Sequence, residues 1–412
     1  MTKVTVVGLG YVGMPLATAF ANKGFDITGY DVSENAVRVA REGIYPTIVT
    51  NYQIKPINAT TKPEECLPFA DFIIICVPTP ITKDKKPDLN YLKSAAETVA
   101  KYLKKGQTVI IESTVYPGTT EEIIKPILEK SGLTAGKDFG LAYSPERVDP
   151  GNKIYPFENL PKIVAGINKE TREKVRDLYS KIINKPVPVN SIKAAEITKI
   201  FENAFRFVNI AFVNELALIC EKLGINVFEV IDAAATKHGG FLAHYPGAGV
   251  GGDCIPVSPH YLYHMAKERG LEFDFIKLAD KINSNMPNHV ADMVEKFGDK
   301  NKPVLVLGVS YKPNVSDTRN SPSGAVISVL KSGHWKVNYF DPFVEKFAEM
   351  NSERDLKTAI DKSDTVIIVV SHDQFKQANL ETMLKDKIVI DTCNFFKSNI
   401  GRKYIGLGKP VQ

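Results

Sequence analysis

"KVTVVGLGYVG", residues 3–13, sets the reading of the whole chain. It begins with a short run of β-branched apolar side chains that stops at Gly8, the pattern of a buried strand. Residues 8–13 then form a G-x-G-x-x-G turn, and "MPLATAFANKG" continues with helical spacing. A second strand, "DITGYDV", follows and carries Asp31, about twenty residues on from the motif. Strand, glycine turn, helix and acid in this order meet the requirements of a dinucleotide site. Gly8, Gly10 and Gly13 let the backbone close on a pyrophosphate held by helix N-terminal amides, and the Asp31 carboxylate takes ribose hydroxyls. An acid there favours NAD over NADP, whose 2′-phosphate it would repel.

Outward from this unit, "ADFIIICVPTP" (70–80), "QTVIIEST" (107–114) and "KIVAGI" (162–167) read as further strands. "LNYLKSAAETVAKYLKKG" between the first two has helical spacing and stops at glycine. Alternating strands and helices predict βαβ units and a parallel sheet. From Ser191 to Leu223 there is no proline or glycine, and the apolar residues keep a helical period. This predicts one long helix, or two nearly collinear ones, ended by Gly224. "NVFEVIDAAATK" is another helix, helical pattern runs on to about residue 297, and "GDKNKP" (298–303) reads as a linker. "PVLVLGVS", "KVNYFDP", "SDTVIIVV" and "DKIVIDTC" then repeat the organisation of the first part, with Asp341 at the place of Asp31. The expected fold is α/β: two Rossmann-like doubly wound domains (1–190 and 301–412) joined by a central helical domain (191–300) with a long helix.

Of the 412 residues 44% are hydrophobic and 24% charged, with a net charge of +5 and no dense Lys/Arg block. "KDKKP" (83–87) reads as a solvated loop, so neither nucleic acid nor membrane is suggested as a partner. The chain opens on a strand rather than a signal core, and no apolar run reaches the length of a span. The five cysteines are scattered and have no C-x-x-C spacing. That argues against a disulfide framework or a metal site and for a reducing, cytoplasmic setting.

"PGAGVGGDCIPVSPHYL", residues 246–262, places Gly247, Gly249, Gly251 and Gly252 ahead of Cys254. Cysteine is most often a small buried hydrophobe; alternatively the glycines let a ligand reach the thiol. A reactive thiol needs a cation or hydrogen-bond donors nearby. In "EITKIFENAFRFVNIAFVNE", Lys199 and Asn203 are spaced i, i+4, with Arg206 further along the same face. Such residues are ordinarily solvated, but the dense apolar interleaving by Ile200, Phe201, Ala204, Phe205, Phe207 and Val208 favours a cleft lining. In "YSPERVDPG" (143–151), Glu146 is open to two readings, an ion pair or a general base for water. The first turn of the C-terminal repeat, "GVSYKPNVSDTRNSPS", lacks the glycine motif but carries Lys312 and Arg319. That suits an anionic phosphate, or else a plain surface loop.

"GLGYVG", "CVPTP", "STVYPGTT", "YSPERVDPG", "EITKIFENAFR", "GVGGDCIP" and "YKPNVSDTRNSPS" together resemble the UDP-glucose/GDP-mannose dehydrogenase family along essentially the whole chain. "YSPER..PG" and "ENAFRFVNIAFVNE" resemble its branch oxidising UDP-N-acetylhexosamines. The resemblance implies NAD-dependent, four-electron oxidation of a sugar C6 alcohol to a carboxylate, through a thiohemiacetal and a thioester on Cys254. It implies that Lys199 and Asn203 position the oxygen at C6, that Glu146 assists water and that Thr114 organises the water network. Cofactor contacts are implied at Gly8, Gly10, Tyr11, Val12, Gly13, Asp31, Pro78, Thr79, Thr114 and Arg319. Substrate contacts are implied at Glu146, Arg147, Lys199, Asn203, Arg206, Phe241, Tyr245, Gly249, Gly251, Tyr311 and Lys312. The implied substrate is UDP-N-acetyl-D-mannosamine or UDP-N-acetyl-D-glucosamine. The alternatives are UDP-glucose, or a catalytically impaired paralogue that only binds a nucleotide sugar. The N-terminal domain would hold NAD, the C-terminal domain UDP, and the long helix a homodimer.

Four positions depart from the family pattern. Ser258 stands where an aspartate is usual, and Asp253 where a non-acid is expected beside the nucleophile. In an extended loop neighbouring side chains point apart, so Asp253 is expected to face away from the thiol. Ala36 replaces a common basic residue, and Cys393 an arginine of a "D-x-R" turn.

Overall fold

The N-terminal strand and helix form as β1 (Lys3–Val7) and α1 (Gly13–Asn22), joined by the glycine turn. The computed structural model describes residues 1–43, 55–147 and 157–410. They fall into two units, Met1–Glu202 with His260–Leu271, and Asn203–Pro259 with Glu272–Gln412. In the first, β2 (Asp26–Tyr30), α2 (Glu34–Glu42), β3 (Asn58–Thr60) and β4 (Phe72–Ile75) follow. Next come α3 (Asn90–Tyr102), β5 (Thr108–Ile111), α4 (Lys125–Leu128), β6 (Gly140–Tyr143), β7 (Lys162–Gly166), α5 (Lys169–Tyr179) and β8 (Pro186–Pro188).

The eight strands lie in the order β3-β2-β1-β4-β5-β6-β7-β8. The order reverses between β1 and β4, which creates the switch point where doubly wound sheets bind ligands. Apolar side chains cover both faces, with Val4, Val6, Leu16 and Phe20 on one and Ile73, Ile75, Val109 and Leu92 on the other. The expectation of a fully parallel sheet needs one correction. β7 runs antiparallel to β6, with Ala142 opposite Gly166 and Tyr143 opposite Ala165. Antiparallel neighbours need no crossover helix, and α5 then returns the chain to β8, parallel to β7. The reversal puts the first residue of β7, Lys162, at the edge where β4, β5 and β6 end.

The long run from residue 192 is one helix, α6 (Ile192–Leu223), closed by Gly224 in the left-handed region at φ +69°. By length and mean hydropathy α6 could cross a membrane. Here, however, its Glu196, Asn203 and Asn214 are buried inside the protein. α7 (Val227–Ala235) is capped by the Asn226 side chain. α8 (Ser258–Glu268) and α9 (Asp274–Phe297) complete the helical stretch.

The second unit carries β9 (Val304–Leu307), α10 (Pro322–Ser332), β10 (Val337–Phe340) and a hairpin of β11 (Lys346–Phe347) and β12 (Met350–Asn351). β13 (Thr365–Ile368), β14 (Ile388–Asp391) and β15 (Lys403–Gly406) follow. Its parallel sheet has the order β10-β9-β13-β14-β15, and the four strands expected from the repeat all form. β15 is added to them; its "KYIG" is too short and mixed to stand out in the sequence.

Candidate active site

The glycine turn shows why each glycine is there. Gly8 has φ +94°, and a side chain on it would lie 2.8 Å from the Cys76 carbonyl oxygen. A side chain on Gly13 would overlap the Gly8 carbonyl, so α1 could not pack onto β1. Gly10 is different: nothing lies within 4 Å of where its Cβ would be. Packing does not demand a glycine there, whereas close approach of a pyrophosphate does. The Asp31 carboxylate accepts the Leu9 and Ser33 amides, each at 2.8 Å, one per oxygen. That fixes its rim position and keeps lone pairs for ribose hydroxyls. These residues fit a bound NAD.

Beyond β4 and β5 the edge loops are tied together. Thr79 donates to the Thr114 carbonyl and Ser113 to the Val77 carbonyl, both at 2.7 Å. On α8, Tyr261 donates to the Thr79 and Pro80 carbonyls, which braces the "CVPTP" loop. Tyr11 is exposed at the turn.

Glu146 lies just past β6, its side chain 12% exposed, with the Lys162 ammonium 3.7 Å from Oε2. Arg147 turns instead to Glu202 on α6, with Nε 3.3 Å from Oε2, and donates to the Pro161 carbonyl at 2.8 Å. The residues Val148, Asp149, Pro150 and Gly151 of the same segment lie outside the described residues. Sequence reasoning passed over Glu112 and Lys162, because each sits within a strand-like run.

Lys199 is half-buried on α6. One turn earlier, Glu196 is fully buried and accepts the amides of Gly118 at 2.6 Å and Thr120 at 2.8 Å. This anchors the helix that carries Lys199 to the loop following Thr114. Burial pushes the Glu196 carboxyl up to about 7, with the Thr120 and Gly118 hydrogen bonds pulling the other way. A raised carboxyl pKa means the folded state holds the proton more tightly. This group's contribution therefore favours folding below its ordinary pKa of 4.5 and is lost as pH rises to about 7. Glu196→Gln should abolish that part of the pH dependence. It should also cost about 1 kcal/mol throughout, since one amide oxygen cannot serve both donors. Melting temperatures of both proteins across this range test it; an unchanged slope in the variant contradicts the assignment.

In the second unit, Cys254 is exposed in the turn before α8. Its carbonyl accepts the Ser258 amide at 2.9 Å. Ser258 opens α8 and is buried, and its hydroxyl accepts the amide of buried Asn203 at 2.9 Å. The serine thus holds the Asn203 side chain in one orientation. The other thiols differ from Cys254: Cys66, Cys76 and Cys220 are buried and Cys393 is half-buried. Burial pushes all four above the ordinary thiol range, Cys66 to about 11.

The glycines ahead of Cys254 serve packing as well as access. Cβ atoms on Gly251 or Gly252 would come within 2.8 Å of Pro322 and 3.0 Å of the Tyr311 ring respectively. Gly249, at φ +137°, and the roomier Gly247 keep the loop thin. Asp253 turns to Arg319, whose Nη1 is 2.5 Å from Oδ2, and Arg319 also pairs with Asp317 at 2.6 Å. Two further bonds close the same clamp: Gly252 N–H to the Arg319 carbonyl and the Asn320 side-chain amide to the Gly252 carbonyl, each 3.0 Å. Arg319, expected as a cofactor contact, is thus held by two carboxylates.

A buried polar chain, invisible in the sequence, seats the start of this loop. Gly247 donates to Asn214 at 3.0 Å, Asn214 to Asn283 at 2.9 Å, and Asn283 to the Phe207 carbonyl. Tyr245 stacks on Phe228 and donates to Asp232, while Phe241 and Arg206 are exposed. The turn carrying Tyr311 and Lys312 is anchored from beneath. Asp341 accepts the Val309 and Ser310 amides and sits 3.2 Å from His372 Nε2, and His372 Nδ1 accepts the Asn314 amide. Burial pushes the Asp341 carboxyl up, but His372 and the Val309 and Phe343 amides outweigh it and hold it below its ordinary value.

A dinucleotide turn with an acid rim, a second Rossmann-like sheet with a braced cationic turn, and an exposed cysteine beyond a long helix define an NAD-dependent dehydrogenase. The chain matches the NAD binding domain of the UDP-glucose/GDP-mannose dehydrogenase family over residues 2–183, its central domain over 193–285 and its UDP binding domain over 305–398. It is 34% identical to a UDP-N-acetyl-D-mannosamine dehydrogenase of Pyrococcus horikoshii, covering 99% of both chains. A solved structure of the UDP-D-ManNAc dehydrogenase from that organism superposes with a TM-score of 0.91. Identity is 44% to Protein CapL of Staphylococcus aureus, over 83% of this chain and 82% of the relative. It is 38% to a UDP-N-acetyl-D-glucosamine 6-dehydrogenase of Salmonella typhi, over 94% and 95%. The chain belongs to the UDP-glucose/GDP-mannose dehydrogenase family.

Proposed function

We propose that this enzyme oxidises the C6 hydroxyl of a UDP-N-acetylhexosamine, UDP-N-acetyl-D-mannosamine or UDP-N-acetyl-D-glucosamine, to the uronate. The exposure of Cys254, against four thiols sheltered by packing, carries this reading. The identities of 34% and 38% to relatives named for these two substrates support it. Residues 1–190 hold the cofactor, 301–412 hold UDP, and 191–300 carry the cysteine.

NAD, two equivalents in succession, supplies the oxidising power by accepting one hydride in each oxidation. Lys199 and the Ser258-oriented Asn203 hold the oxygen at C6 and stabilise charge developing on it. Cys254 Sγ attacks the aldehyde carbon to form a thiohemiacetal, which the second oxidation converts to a thioester. Glu146 takes a proton from water as that water attacks the thioester carbonyl, with Thr114 ordering the water, and Cys254 leaves as the thiolate. Incubation with NAD and each of UDP-N-acetyl-D-mannosamine, UDP-N-acetyl-D-glucosamine and UDP-glucose tests the substrate class. An N-acetylhexosamine should show a kcat/KM at least about tenfold above UDP-glucose, the scale of discrimination one side group affords. Preference for UDP-glucose contradicts the reading. Binding without NADH formation with all three favours an impaired paralogue.

A homodimer through α6 belongs to the same proposal, in a cytoplasmic setting. Ile197, Phe201, Phe205, Phe212, Ile219 and Leu223 are all at least 40% exposed and recur at spacings of four and seven along the helix. They form one apolar stripe about 40 Å long. A stripe of this size is what a second copy of the same helix would cover. Light scattering should give twice the 45.5 kDa chain mass, and Phe201→Glu with Phe212→Glu should shift it to the monomer. A double variant that stays dimeric removes α6 from the interface.

A further inference from the structure

Glu146 is one end of a buried charge cluster. The antiparallel register of β7 against β6 carries Lys162 opposite Glu146. There the ammonium lies 3.7 Å from Glu146 Oε2, is bonded to Glu112 Oε1 and donates to the Pro145 carbonyl at 3.3 Å. The Lys162 side chain is 4% exposed and that of Glu112, just past β5, is 0%. Glu112 Oε2 also accepts the Cys76 thiol, 3.4 Å away past the end of β4. A buried ammonium is costly unless it is paired, and Glu112 is the nearer of its two carboxylate partners.

We propose that Lys162, itself held by Glu112, is a positioning residue that sets a buried positive charge against the Glu146 carboxylate for water activation. This rests on the reading of Glu146 as the base. Among the described residues, the neighbouring thiol and phenols carry no positive charge. Cys76, Tyr143 on β6 and Tyr179 at the end of α5 are pushed by burial towards their neutral forms. Lys162 lies over the Tyr179 ring at 4.9 Å, and Arg147 is engaged by Glu202. Burial pushes Lys162 down, but Glu112 and Glu146 outweigh it and raise the group, so the ammonium is retained. Two carboxylates then share one ammonium. Burial pushes Glu112 up to about 7, Lys162 opposing and Glu146 reinforcing the rise. Glu112 therefore competes with Glu146 for the same positive charge.

Competition of this kind gives shifts of opposite sign, which simple loosening of the fold does not. The readout is the release of product from the Cys254 adduct as a function of pH. NAD is used with UDP-N-acetyl-D-mannosamine, or with UDP-N-acetyl-D-glucosamine where that turns over instead. Its acid limb reports the base. Lys162→Met should move that limb up by about one unit or more, since the cation beside the base is gone. Glu112→Gln should move it down, because Lys162 then serves Glu146 alone. Lys162→Arg should restore the limb to near its original position, with KM for NAD unchanged in all three. Where Lys162→Met does not fold, the downward shift in Glu112→Gln and the rescue by Lys162→Arg carry the test. Limbs that stay in place, or move in the same direction, overturn the proposal. Glu146→Gln separates the two layers. If it leaves the release rate intact, the base reading fails and the positioning proposal with it. If it abolishes release while the limbs of the other variants stay fixed, only the role of Lys162 and Glu112 falls.

Discussion

Cys254→Ala should lower turnover of the UDP-sugar by about 10⁴-fold or more, the scale seen when a covalent nucleophile is removed. The reason is specific to the second oxidation. Without the thiol an aldehyde has no covalent route to an acyl species, so the four-electron reaction stops after one NADH at most. Because Cys254 is exposed in a turn and fills no core, its truncation should leave the melting temperature within a degree or two. It should also leave NAD affinity unchanged. A loss below tenfold would remove the covalent mechanism from this protein.

Ser258→Asp should act in the other direction and accelerate release of the uronate by about tenfold or more. That is a modest share of the 10²–10⁴-fold a positioned acid–base group supplies. In the family pattern an aspartate at this place belongs to the proton-handling group with the lysine. Here the serine hydroxyl keeps one of the tasks, holding the Asn203 amide at 2.9 Å, but it carries no charge at neutral pH. The wild-type protein should therefore accumulate the Cys254 adduct, seen by intact mass, and the variant should not. Identical adduct levels and identical rates in the two proteins would show that the missing carboxylate is not what limits this enzyme.

The N-terminal fold was legible because its signals are local. A β-branched run, a glycine turn and an acid on the next strand can be read without knowing any distant contact. The α6 helix was equally plain, since a proline- and glycine-free run with a 3.6-residue period leaves few alternatives. Direction was not legible: "KIVAGI" reads as a strand either way, so nothing indicated that β7 runs against β6 and carries Lys162 to Glu146. The Asn203–Ser258 bond and the Asn214–Asn283 bond join residues 55 and 69 positions apart, a separation that no periodicity reports. The cysteine loop shows a subtler gap. Its glycines suggested ligand access, and access exists at Cys254, yet Gly251 and Gly252 are also required by Tyr311 and Pro322. Asp253 pairs with Arg319, a partner too far along the chain to be read from sequence.

The most direct test of the four-electron account is the number of NADH formed per UDP-sugar consumed, with limiting UDP-N-acetyl-D-mannosamine or UDP-N-acetyl-D-glucosamine and excess NAD. The account predicts two, with the uronate as product. One NADH per sugar with a free aldehyde as product would contradict it and make this an ordinary two-electron dehydrogenase.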